Sequence, residues 1–153
     1  VSIRRARLED EGFLLGLTTR LGAAFPVPAW RRPEEIAAAD HAILLAALHQ
    51  PGDATCILVA EGPAGTPAGY VFATTREDYF THEPHAHIEV LAVEPAAEGR
   101  GIGRGLLEAV EKWAKGRGYR RMTLNVFHTN TRARALYERA GYEPETLHYH
   151  KAL

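Results

Sequence analysis

Two hydrophobic periods alternate along this chain, and the switches between them mark its elements. Ser2 to Arg7 alternates apolar and polar positions, which predicts a short strand. From Leu8 the spacing turns helical, with Phe13, Leu14, Leu17 and Leu21 on one stripe. Glu9, Asp10 and Glu11 stand at the end of that helix where its dipole favours negative charge. A loop over 23–32 carries Phe25, Pro26, Pro28 and Trp30. Pro33 with Glu34 and Glu35 announces a second helix, because proline is tolerated in a first turn. Its stripe is Ile36, Ile43, Leu44, Ala47 and Leu48, and Pro51-Gly52 closes it. Strands are predicted over 56–61 and 68–74, joined by the turn-forming run 62–67, and a further strand over 87–93. The next helix buries Leu106, Leu107, Val110, Trp113 and Ala114 and stops at Gly116 and Gly118. A strand over 122–127, a short helix over 131–140 and a last strand over 147–153 complete the chain. The order β-α-α-β-β-β-α-β-α-β describes a mixed sheet with helices over it, the α/β class.

Length and composition narrow the function more than the fold. One domain over 1–153 is expected from 153 residues, of which 46% are hydrophobic and 24% charged. A net charge of -1 provides no electrostatic case for nucleic acid or an anionic membrane. No run approaches the roughly 18–20 apolar residues of a membrane span, and 1–5 lacks the apolar segment of a secretory signal, so a cytoplasmic protein is expected. The single cysteine, Cys56, excludes an internal disulfide and lies in an apolar run, where a buried thiol is favoured over a nucleophile. His82, His85 and His87 have no further ligand cluster to complete a site, and no metal is expected.

The densest chemical signal is 93–107, where a strand ends, glycines fall at 99, 101, 103 and 105, and a helix begins. That arrangement aims backbone N–H groups outward at a helix N-terminus, where they hold phosphate. Arg100 and Arg104 add charged donors. A dinucleotide fingerprint fails on spacing, since Arg104 or Leu106 stands where the third glycine is needed, and no Gly-Lys-Ser/Thr ends a P-loop.

On these residues the chain resembles the GCN5-related N-acetyltransferase (GNAT) superfamily. The family's Arg/Gln-x-x-Gly-x-Gly/Ala turn after a Val-x-Pro strand end corresponds to Glu98-Gly99-Arg100-Gly101-Ile102-Gly103 after Val93-Glu94-Pro95. A second signature falls on Asn130, Ala133, Leu136, Tyr137, Gly141 and Tyr142. Glu98 departs from the usual Arg or Gln and puts a negative charge near the turn, whose backbone donors do not depend on it. The resemblance implies a mostly antiparallel, splayed sheet and acetyl-CoA as acyl donor. It implies cofactor contacts from Leu91, Ala92 and Val93 on the strand, from Gly99, Arg100, Gly101, Ile102, Gly103 and Arg104 in the turn, and from Asn130, Ala133 and Tyr137 on the last helix. It further implies a bulge in the strand over 87–93, with the N–H of Leu91 polarising the thioester carbonyl. A homodimer is a family habit.

Amide formation from an amine and a thioester needs a deprotonated amine, a stabilised oxyanion and a protonated thiolate. Tyr137 is the candidate general acid by its place in the second signature. Glu89 is the candidate base: strict alternation places His87, Glu89, Leu91 and Val93 on one strand face, and a glutamate between Ile88 and Val90 is costly without a task or a partner. His87 is the rival base. Phe25 and Trp30 are candidates for a wall of the acceptor pocket. The expected activity is acetyl transfer to a small-molecule or peptide amine by direct attack. The alternative is a non-catalytic acyl-CoA-binding module on the same fold.

Overall fold

The computed structural model describes residues 1–153. Strand β1 (Ser2–Arg5) leads through a 3-10 turn (Leu8–Asp10) into helices α1 (Glu11–Ala24) and α2 (Pro33–His49). Three antiparallel strands follow, β2 (Thr55–Glu61), β3 (Pro67–Glu77) and β4 (Pro84–Val93). Helix α3 (Ile102–Gly116), strand β5 (Met122–Leu124) and helix α4 (Thr131–Arg139) complete the regular elements. The sheet runs β1-β2-β3-β4-β5, with only the β4–β5 pair parallel.

Both faces of the sheet are covered. α1 and α2 bury Leu14, Leu17, Leu21, Leu44 and Leu48 against Ile57, Val59, Tyr70 and Phe72. α3 buries Leu106, Leu107 and Val110 against Cys56, Leu58, Val71 and Ala73 on the other face. Because β2 is covered on both sides, five consecutive residues from Cys56 to Ala60 are buried, a continuous apolar run rather than an alternating one. Burial pushes the Cys56 thiol up to about 11, which keeps it neutral. Ile43 is exposed and Ala37 takes its place in the buried stripe of α2.

Gly69 is required by close approach. A Cβ there would lie 2.7 Å from the Ala92 carbonyl oxygen and 3.2 Å from Val93 Cα, where β3, the end of β4 and the first turn of α3 converge.

Three sequence expectations change. β4 begins at Pro84, earlier than His87, because β3 continues to Glu77 and the pair extends down to a turn over 78–83. The Asp78 carboxylate closes that turn by accepting from the N–H groups of Phe80 and Thr81, both at 2.9 Å. β5 stops at Leu124 instead of Phe127. The last strand over 147–153 does not form: Leu147, Tyr149 and Leu153 stay exposed, with no layer to bury their alternating apolar face. That segment is held instead by His150, which stacks on Trp30 at 4.4 Å between ring centroids.

Candidate active site

β4 organises the site, and a one-residue insertion in it is the decisive feature. Phe72 pairs with Val90 but Ala73 pairs with Ile88, so Glu89 has no partner on β3. This is a β-bulge, and it breaks the alternation assumed from sequence. Ile88, Leu91 and Val93 pack toward α3, whereas Val90 and Ala92 pack toward α1 and α2. Glu89 turns to the same side as Thr74 and does not share a face with Leu91 and Val93. The register shift is the reason.

The bulge also reorients main-chain donors. Before it, the Ala86 N–H reaches the Arg121 carbonyl on the β5 side; after it, the Glu94 N–H reaches Ala68 beside β3. Alternate N–H groups on a strand share an edge, so those of Leu91 and Val93 point to the β5 side. The β4–β5 ladder ends at Ile88 opposite Leu124, and beyond it the sheet is open.

That opening belongs to a cleft roofed by α1, the loop after it and α2. Phe25, Asp40, Val90, Leu91, Phe127 and Asn130 line its inner part. Arg31, Glu35, Asp40 and Phe127 continue it outward into a basin of about 350 Å³. Phe25 thus forms part of the wall, while Trp30 is tied up on His150. β5 stops early because the chain after Leu124 diverges to bring Phe127 into this cleft.

Glu89 is not an isolated buried acid. Its Oε1 accepts from Thr74 Oγ1 at 2.8 Å, Arg76 Nε at 3.1 Å and Arg76 Nη2 at 2.7 Å. All three donors take one oxygen, which leaves Oε2 free of protein donors. The carboxylate pushed upward is Asp40, to about 6, through burial first and repulsion from Glu89 second, with His41 opposing. Sequence reasoning missed Asp40, although a signal exists: it sits in the apolar stripe of α2, one turn from both Ile36 and Leu44. His87 is buried beside Glu89. Burial and the Arg76 charge outweigh the attraction of Glu89 and hold His87 down at about 4, so its ring is neutral at physiological pH.

The glycine turn enters α3 with Gly99 at φ +77° and Gly101 at φ +78°, backbone conformations that side chains rarely adopt. A Cβ at either would meet no protein atom within 4 Å, so both face open space. The Ile102 side chain packs in the α3-side core, leaving only its backbone for a ligand. Arg104 bends back to Glu108 at 3.0 Å. Glu98 is paired with Arg132 of α4, which offsets the negative charge that the sequence places beside the turn. Asn130 caps α4 by accepting from the Ala133 N–H at 3.2 Å. Tyr137 packs against the α3-side core and edge-on to Tyr142; burial pushes its hydroxyl up to about 12, so it stays protonated and a donor. His82 turns out to Glu77 at 2.7 Å, away from His85 and His87, and the three do not converge.

The candidate site thus combines a glycine turn facing open space, a strand edge whose N–H groups have no strand to pair with, and a tyrosine held protonated. Residues 18–142 match the Acetyltransferase (GNAT) family, and the chain belongs to that family. It is similar to a mycothiol acetyltransferase of Beutenbergia cavernae, 46% identical over 61 residues, which is 40% of this chain and 20% of that protein. The chain thus spans about a fifth of the length of that relative. It is also similar to an aminoglycoside N(6')-acetyltransferase type 1 of Salmonella typhimurium, 29% identical over 113 residues, 72% of this chain and 68% of that one. Among solved structures, a putative acetyl transferase from Pyrococcus furiosus superposes with a TM-score of 0.80 at 28% identity, covering 99% of both chains.

Proposed function

We propose that residues 1–153 act as one domain that moves an acetyl group from acetyl-CoA to the primary amine of a small cationic acceptor. The observation that carries the acceptor class is the pair of carboxylates, Asp40 and Glu89, close enough to raise Asp40, which lines the cleft together with Leu91. Arg76 already answers Glu89, whereas Asp40 has no cation beside it and is raised by burial and by repulsion from Glu89. An ammonium relieves that repulsion. The aminoglycoside relative, which covers most of this chain, supports the same class.

The pyrophosphate lies on the backbone of Gly99, Arg100, Gly101, Ile102 and Gly103, with Arg100 and Arg104 beside it. The pantetheine arm follows Leu91, Ala92 and Val93, and Asn130 and Ala133 shape the far wall. Glu89 Oε2 takes one proton from the amine, whose nitrogen attacks the thioester carbon. The Leu91 N–H stabilises the oxyanion; on its collapse the C–S bond breaks, the Tyr137 hydroxyl protonates the sulfur, and the excess proton left on the nitrogen returns to the Tyr137 phenolate through solvent, giving the neutral amide and the CoA thiol. The test is release of free CoA from acetyl-CoA with a panel of amines differing in charge. Turnover should rise from monoamines to diamines and aminoglycosides. Equal turnover of neutral and cationic acceptors would overturn the acceptor class, and no turnover with any amine would favour a binding module.

A further inference from the structure

His85 and His87 both reach one hydroxyl on the neighbouring strand. Thr123 of β5 pairs with His87 in the ladder; its Oγ1 lies 2.7 Å from His87 Nδ1 and 3.0 Å from His85 Nε2. The two histidines are 5% and 7% exposed, so water does not substitute freely for these contacts. Around them, β3 contributes Arg76 and Thr74, β4 contributes Glu89, and α2 brings Asp40 against Glu89.

A threonine hydroxyl has one proton and donates once. With both rings neutral, two arrangements use its two contacts and its proton fully; a third, in which both rings donate to its lone pairs, leaves the Thr123 O–H with no acceptor in the protein. In the first, His85 Nε2–H donates to Thr123 and Thr123 donates to His87 Nδ1. His85 Nδ1 is then a bare lone pair, and His87 carries its proton on Nε2. In the second, both bonds reverse: His87 Nδ1–H donates to Thr123, Thr123 donates to His85 Nε2, and His85 carries its proton on Nδ1.

His85 Nδ1 decides between them, because it is buried with no hydrogen-bond partner. The second arrangement would bury an N–H with nothing to accept it, the rarer and costlier defect. We infer that His85 and Thr123 lock His87 as its Nε2–H tautomer, so that its outer nitrogen carries a proton rather than a lone pair and the base role falls to Glu89. His87 Nε2 makes no hydrogen bond within the protein and is not among its buried unpaired atoms, so it keeps some contact with solvent. His85 and Thr123 are positioning residues that act through His87. The tautomer follows from the hydrogen bonds alone; its catalytic consequence rests on the acetyl-transfer reading.

The test is a two-bond proton–nitrogen correlation spectrum of the histidine rings, recorded without substrate at about pH 8, above the ordinary histidine range. His87 should carry its proton on Nε2 with a hydrogen-bonded, unprotonated Nδ1, and His85 should also be protonated on Nε2. Finding His87 protonated on Nδ1 overturns the assignment. Thr123→Val keeps the side-chain shape and should turn the single His87 tautomer into a mixture, while Thr123→Ser should restore it. An unchanged His87 signal in Thr123→Val also overturns the lock. If Thr123→Val does not fold, the wild-type spectrum decides alone. Since no turnover is involved, failure of the acetyl-transfer reading would leave these spectra as they are.

Discussion

Asp40→Asn should stabilise the protein at neutral pH while impairing its use of cationic acceptors. The Asp40 carboxyl rises from 3.8 in its unperturbed form to about 6 in the fold. A shift of about 2 pK units is worth about 3 kcal/mol at roughly 1.4 kcal/mol per unit, and solvent reaching the half-buried group reduces this to about 1–2 kcal/mol. The sign follows from the direction of the shift. A carboxyl raised on folding favours the fold below about pH 4, and that contribution is lost as pH rises through about 6. Asparagine is neutral throughout, so its advantage over aspartate should be absent near pH 4 and full at pH 8. At about 2–4 °C per kcal/mol for a chain of this size, Tm at pH 8 should rise by about 2–8 °C. Thermal unfolding of both proteins from pH 4 to pH 8 is the assay, with KM for a diamine measured alongside. A Tm gain independent of pH, or an unchanged KM, would refute the reasoning.

Tyr137→Phe should lower kcat by about 10²–10⁴-fold with acetyl-CoA affinity unchanged, as for loss of a general acid; wild-type turnover would make Tyr137 a packing residue only. Gly101→Val should weaken acetyl-CoA binding in calorimetry, because a branched side chain at φ +78° is strained and would stand in the open space of the cradle. An unaltered affinity in the folded variant removes the phosphate from this turn.

Much of the fold is legible in the sequence because it depends on local period. The stripes of α1 and α3, the runs of β2 and β3 and the glycine turn all follow from residue spacing. What escaped depends on register and on contacts distant along the chain. The resemblance implies a bulge in the strand over 87–93, and the structure has it, but alternation cannot locate it at Glu89 and therefore grouped Glu89 with Leu91 and Val93. The alternating tail over 147–153 reads as a strand, yet its apolar positions find nothing to cover them. Asp40 was legible in principle as a carboxylate inside an apolar stripe, but only β4 opposite explains it. The Glu98–Arg132 pair joins the turn to α4 and has no local signature.

The most direct measurement is the pH–rate profile of acetyl transfer to one cationic amine by wild type and Glu89→Gln. The variant should lose about 10²-fold or more of kcat/KM at neutral pH and recover partly at high pH, where free amine is abundant. Superimposable profiles would contradict the base role, because the amine would then lose its proton without Glu89.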